Sequence, residues 1–105
     1  MYRPLPNSVT IGPSKIDGLG LLAIDDIEKG TSLGVSHIYN THFEDNWIRT
    51  PLGGFINHSD EPNCFKMKDL LTNFYHILTL RDIEMGEELT VKYTIYNIGE
   101  NGNWL

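Results

Sequence analysis

Residues 54–64 read GFINHSDEPNC. Two apolar residues, Phe55 and Ile56, run directly into Asn57-His58-Ser59, and Pro62-Asn63 closes the stretch. The apolar lead-in suggests a buried strand, and three adjacent hydrogen-bonding side chains at its end need partners. Left unsatisfied in the interior, each would cost about 1–3 kcal/mol. The stretch therefore reads as a polar edge waiting for a ligand or for another part of the chain. His58, Ser59 and Asp60 are the residue types of a hydrolytic triad, but triad members converge from separate elements, which sequence neighbours do not do. Asn57-His58-Ser59 also fits the N-x-S glycosylation pattern; with no secretory leader expected, a chance match is the expectation.

Outward from this segment, Gly and Pro punctuate the chain and helical periodicity is scarce. Short runs of β-branched and aromatic residues predict strands over 9–11, 21–24, 32–38, 74–80 and 89–93. The polar, aromatic stretch 40–49 predicts one helical turn. The tail, NIGENGNWL over 97–105, is rich in Gly and Asn and reads as loose until Trp104 finds a surface. Self-comparison finds an internal repeat. Residues 22–35, LAIDDIEKGTSLGV, match residues 78–91, LTLRDIEMGEELTV, at seven of fourteen positions. Each copy reads as strand, turn ending on glycine, strand, which predicts two similar hairpin-like units around the central segment.

A chain of 105 residues with 40% apolar content has the size and composition of one domain, 1–105, with a single core. A net charge of −6 argues against binding nucleic-acid phosphates and suits a cationic partner such as a Lys-rich segment. Cys64 is the only cysteine, so there is no intrachain disulfide and no thiolate cluster. The four histidines lack ligand spacing, and no metal is expected. MYRPLPNSVT lacks the apolar segment of a signal peptide, and no apolar run reaches membrane-spanning length. The expectation is a soluble, intracellular protein that does not engage a membrane. Gly18 to Ala23 formally fits the dinucleotide fingerprint G-x-G-x-x-A. Pro13 interrupts the lead-in and Gly30 arrives too soon for the helix that the fingerprint requires. Tyr75, Tyr93 and Tyr96 fit sheet aromatics. Tyr93 differs in following GEELTVK at a predicted strand end, where its hydroxyl would sit at the sheet's rim.

Three stretches in order carry a resemblance. IDGLGLLAIDDIEKG (16–30) is similar to the opening Gly-x-Gly hairpin of the SET domain, the lysine methyltransferase family that uses S-adenosylmethionine. GFINHSDEPNC resembles that family's Asn-His-Ser-x-x-Pro-Asn core, and GEELTVKYTIY (86–96) its strand ending in the active-site tyrosine. The resemblance implies a mainly β fold, a β-clip of small curled sheets with a C-terminal pseudoknot. It implies that the backbone of Gly18, Leu19 and Gly20 walls one side of the cofactor. The Asn57 side chain would meet the cofactor's amino-acid end, the His58 backbone its adenine edge, and Tyr93 would be the catalytic tyrosine. Trp104 or Tyr96 would serve as a lid over the adenine or the lysine channel, with Tyr96, Val91 and Phe55 along the channel.

The implied partner is a protein with an accessible lysine, a histone or another host protein. A homodimer would complete a substrate groove that is short in this chain. The brevity resembles stand-alone viral or bacterial members. The alternative of a different class is a non-catalytic β-clip module that binds a partner or the cofactor without turnover.

Overall fold

The two copies of the internal repeat do not close into hairpins on themselves. In the computed structural model, which describes residues 4–43 and 45–93, each copy sends its two strands into different sheets. The strands are β1 (Val9–Pro13), β2 (Leu19–Ala23), β3 (Ser32–Tyr39), β4 (Trp47–Arg49), β5 (Asn57–His58), β6 (Cys64–Lys68), β7 (Tyr75–Thr79) and β8 (Glu88–Val91). Among the described residues there is one helix, α1, covering Pro51–Phe55. One sheet has the order β1-β2-β8-β5 and the other β4-β3-β7-β6. The first copy contributes β2 and β3, the second β7 and β8. β2 pairs with β8 and β3 with β7, so each copy takes its partners from the other.

The hydrogen bonds at the crossing are duplicated. Ile27 and Ile83 exchange both backbone bonds, each at 2.8 Å. Ala23 N–H donates to the Glu87 carbonyl at 2.9 Å, and its counterpart Thr79 N–H donates to the Thr31 carbonyl at 3.0 Å. Asp82 Oδ1 accepts from Lys29 N–H at 2.8 Å, and Asp26 Oδ1 accepts from Met85 N–H at 2.9 Å. Gly30 and Gly86 both take positive φ, 80° and 97°, which side chains rarely adopt. The identities therefore have causes: Asp caps the other copy's turn, Ile forms the central bridge, Gly makes the bend, and Leu33 and Leu89 fill the core. Val9, Leu21, Ile27, Leu33, Ile77, Ile83, Leu89 and Val91 all belong to that one buried cluster.

The structure departs from the predicted elements in three places. The expected helical turn over 40–49 is instead a turn leading into β4, which pairs with β3 through His37 and Arg49. Phe55 does not lead into Asn57 as part of a buried strand; it ends α1. Thr50 caps that helix, accepting from Gly53 N–H, and Pro51 supplies a fixed φ at its start. Gly53 is required there because a Cβ would collide with the Ser36 carbonyl. Ile56 returns to extended backbone, and Asn57–His58 forms a two-residue strand parallel to β8. β6 carries Lys66 and Lys68, which hid its strand character. The expected pseudoknot falls on residues 94–105, outside the described residues. Among the described residues, no helix is long and apolar enough to cross a membrane.

Candidate active site

β5 is two residues long, and each of them ties together parts distant in sequence. The hairpin between β1 and β2 is closed by Ser14 N–H donating to the Gly18 carbonyl at 2.9 Å, with Gly18 at φ 49°. Inside that loop Ser14 Oγ accepts from Ile16 N–H at 2.8 Å and Asp17 N–H at 3.1 Å. The same hydroxyl donates to the Glu88 carboxylate, 2.8 and 2.9 Å from its oxygens. Asn57 completes the cluster. Its Nδ2 lies 3.0 Å from Glu88 Oε2, 3.0 Å from Ser14 Oγ, and 3.2 Å from the carbonyls of Asp17 and Leu19. Four acceptors around one nitrogen fix the amide's orientation, with Asn57 Oδ1 the acceptor end of the group.

Gly20 lies against this cluster. A Cβ there would meet Glu88 Oε2 at 2.5 Å and Asn57 Nδ2 at 3.1 Å. Only glycine lets the β2 backbone, the amide and the carboxylate come this close. Glu88 accepts hydrogen bonds from neutral donors: the Ser14 hydroxyl, the Lys15 N–H and the Asn57 amide. Its charge is thus solvated by dipoles, an arrangement that complements a cationic ligand.

His58 faces the other way, to Tyr93. Its Nδ1 accepts Tyr93 N–H at 2.8 Å, and the two rings lie 5.1 Å apart, tilted by 50°. Its Nε2 is 3.0 Å from Asp60 Oδ1. The Tyr93 hydroxyl donates to the Ile56 carbonyl at 2.6 Å. Burial pushes the Tyr93 phenol above its ordinary pKa; Arg49 opposes the shift and Asp17 adds to it. The phenol therefore stays protonated at neutral pH and acts as a hydroxyl, not as a phenolate base.

The Gly18–Gly20 backbone, Asn57, His58 and Tyr93 thus come together from three parts of the chain. Val91 pairs with His58 in the β5–β8 ladder but points its side chain into the core, where it is 1% exposed. Phe55 is exposed at the end of α1. Tyr96 and Trp104 lie outside the described residues. A cavity of about 700 Å³ shares Glu88 with this cluster and is also lined by Lys15, Ile16, Arg81, Met85 and Thr90; Asn57, His58 and Tyr93 do not line it.

Sequence reasoning missed Ser14, Glu88 and Asp60. Glu88 lies inside GEELTVK, and two adjacent glutamates beside a strand were the available signal. Ser14 and Asp60 gave none, because their roles depend on which loops meet.

Comparisons with known proteins bear on the family and the fold. Residues 35–94 match the SET domain family model, more than half of the chain. Over 45 residues the chain is 49% identical to a variant-silencing SET domain-containing protein of Plasmodium falciparum; the match covers 41% of this chain and only 2% of that protein's length. A solved structure of a Plasmodium falciparum protein assigned as a histone methyltransferase superposes with a TM-score of 0.65 at 21% identity, covering 85% of this chain and 95% of that one. The methyltransferase domain of human PR domain-containing protein 2 gives the same TM-score at 23% identity, covering 86% and 79%. Two small interlocked sheets with these neighbours are the β-clip arrangement. The chain belongs to the SET domain family.

Proposed function

We propose that this protein transfers a methyl group from S-adenosylmethionine to a lysine side chain of a protein substrate. The observation that carries the reading is the convergence of Gly20, Asn57 and Glu88 on one side of β5 with the protonated Tyr93 phenol on the other. The residues fit the cofactor. A glycine backbone flush against an amide and an anionic carboxylate suits a ligand that carries an ammonium and a sulfonium.

When bound, S-adenosylmethionine supplies an electrophilic methyl on a sulfonium sulfur. Asn57 Oδ1 would accept from the ligand's ammonium, and the Gly18–Gly20 backbone would pack against its amino-acid end. The His58 backbone would border the adenine. The Tyr93 oxygen, its proton committed to Ile56, keeps lone pairs that can orient a methyl group through weak C–H···O contacts. A substrate lysine must lose its proton first, a deficit of roughly 4–5 kcal/mol at pH 7. Desolvation beside the half-buried Tyr93 ring lowers that deficit, and a neighbouring sulfonium lowers it further. Alignment and electrostatics then supply most of the acceleration. Trp104 and Tyr96 are proposed as lid residues, and a second copy of the chain as the completion of the groove.

The test is incubation with methyl-labelled S-adenosylmethionine and histones or lysate protein. Label on lysine supports the reading. Cofactor binding without label would leave a binding module. Tyr93→Phe should sharply reduce transfer while circular dichroism stays native, and wild-type activity in that variant would remove Tyr93 from the role. Asn57→Ala should weaken S-adenosylmethionine binding in calorimetry by roughly tenfold or more, the scale of one charge-assisted hydrogen bond.

A further inference from the structure

We propose that Asp60 is a positioning residue for Tyr93, acting through the imidazole of His58. The catalytic half of this inference rests on the methyl transfer proposed above; the structural half rests on geometry alone. Tyr93 N–H can only donate, so His58 Nδ1, 2.8 Å away, is the acceptor and carries no proton. The neutral ring then bears its proton on Nε2, and Asp60 Oδ1 accepts it at 3.0 Å. A carboxylate at that position favours the one tautomer and ring orientation in which Nδ1 faces the Tyr93 backbone.

The loop is shaped to deliver Asp60 to this place. Ser59 N–H donates to the Val91 carbonyl at 3.0 Å, which fixes the start of the loop to β8. Glu61 N–H donates to Ser59 Oγ at 3.1 Å, folding the chain back so that Asp60 reaches the ring two residues before it. Among the contacts that hold Tyr93 are the Ile56 carbonyl on its hydroxyl, the His58 ring against its own, and His58 Nδ1 on its backbone N–H. Asp60 acts on the backbone contact. Its side chain is 86% exposed, so its hold is modest, an effect of roughly two- to fivefold. That exposure also means that its replacement leaves the core intact.

The experiment uses the full chain, isotopically labelled, with Asp60→Ala and Asp60→Asn. Asparagine keeps a carbonyl acceptor for Nε2–H; alanine does not. In Asp60→Ala the Tyr93 amide should exchange with solvent roughly two- to fivefold faster, and the His58 ring nitrogen shifts should move away from the pure Nε2–H pattern. Asp60→Asn should stay near wild type in both. In the methyl-transfer assay Asp60→Ala should lower kcat by a similar factor with the KM for S-adenosylmethionine unchanged, and Asp60→Asn should restore kcat. Wild-type exchange and tautomer in Asp60→Ala would overturn the structural half. Altered exchange with an unchanged kcat would overturn the catalytic half. A chain that transfers no methyl at all would count against the function proposed above, while the amide and ring-nitrogen readings would still decide the role of Asp60.

Discussion

One added methyl group at Gly20 would drive apart the parts of the candidate site. The new Cβ would press on Glu88 Oε2 and Asn57 Nδ2 together, and both belong to a network that also fixes the Ser14 loop. Overpacking of this kind costs typically 1–3 kcal/mol. Gly20→Ala should therefore lower stability in urea unfolding by about that amount. It should also weaken S-adenosylmethionine binding; a variant with wild-type stability and affinity would show that the close approach does not matter. Gly18, at φ 49° with open space around it, would fail for a different reason, backbone strain rather than collision. Cys64 is another residue whose behaviour follows from its place. It is fully buried, and burial pushes its thiol up to about 12, partly offset by a backbone hydrogen bond and by Arg81. It should resist alkylation by iodoacetamide in the native protein and react only on unfolding.

At the scale of elements, the duplicated crossing predicts paired effects. Asp26→Ala and Asp82→Ala remove equivalent caps from Met85 N–H and Lys29 N–H. Each should cost about 1 kcal/mol, and the two costs should be similar. Ile27→Ala and Ile83→Ala should each cost about 2–5 kcal/mol, since both side chains are buried at the central bridge. Chemical denaturation measures all four, and strongly unequal losses within a pair would mean that the symmetry is only apparent. The repeat itself was legible in the sequence, because the shared Leu, Asp, Ile and Gly stand at fixed offsets. Its pairing scheme was not. A strand–turn–strand pattern is the same whether the strands pair with each other or with a distant copy, and only packing chooses between them. α1 was hidden because PLGGF contains two glycines and a proline, a poor helix by propensity that Thr50 and the close fit of Gly53 against β3 impose from outside. Asn57 and Tyr93 stood out through their motifs. Glu88, Ser14 and Asp60 acquire meaning only when β1–β2, β5 and β8 meet.

The molecule as a whole carries an acid-sensitive interior. His37 is fully buried, its Nδ1 2.9 Å from Ser36 Oγ and its ring edge-on to Trp47 and Tyr75. Burial, then the cations Lys66 and Arg49, lower its pKa to about 4, against a smaller opposing effect of Asp45. In the unfolded chain the same imidazole takes up a proton near pH 6.5. Below that pH the unfolded state binds a proton that the folded state refuses until about pH 4, so folding stability falls as pH drops through this window. The loss should approach about 1.4 kcal/mol per pH unit, or about 2 kcal/mol between pH 6.5 and 5. Urea midpoints measured across that range in wild type and His37→Gln check this; the variant should be less stable at neutral pH and flatter in its pH dependence, and equal slopes would acquit His37.

Because the two copies of the repeat complete each other, neither can finish folding alone. On a ribosome, β2 and β3 emerge early, paired on one side by β1 and β4, and the partners of their other edges, β8 and β7, are made only after α1, β5 and β6. Until then the nascent chain presents unpaired strand edges, the surface most prone to wrong pairing. Fold acquisition is thus a late event: a chain cut short before β8 holds every strand of the β4-β3-β7-β6 sheet but leaves the inner edge of β2 and the side of β5 without their partner.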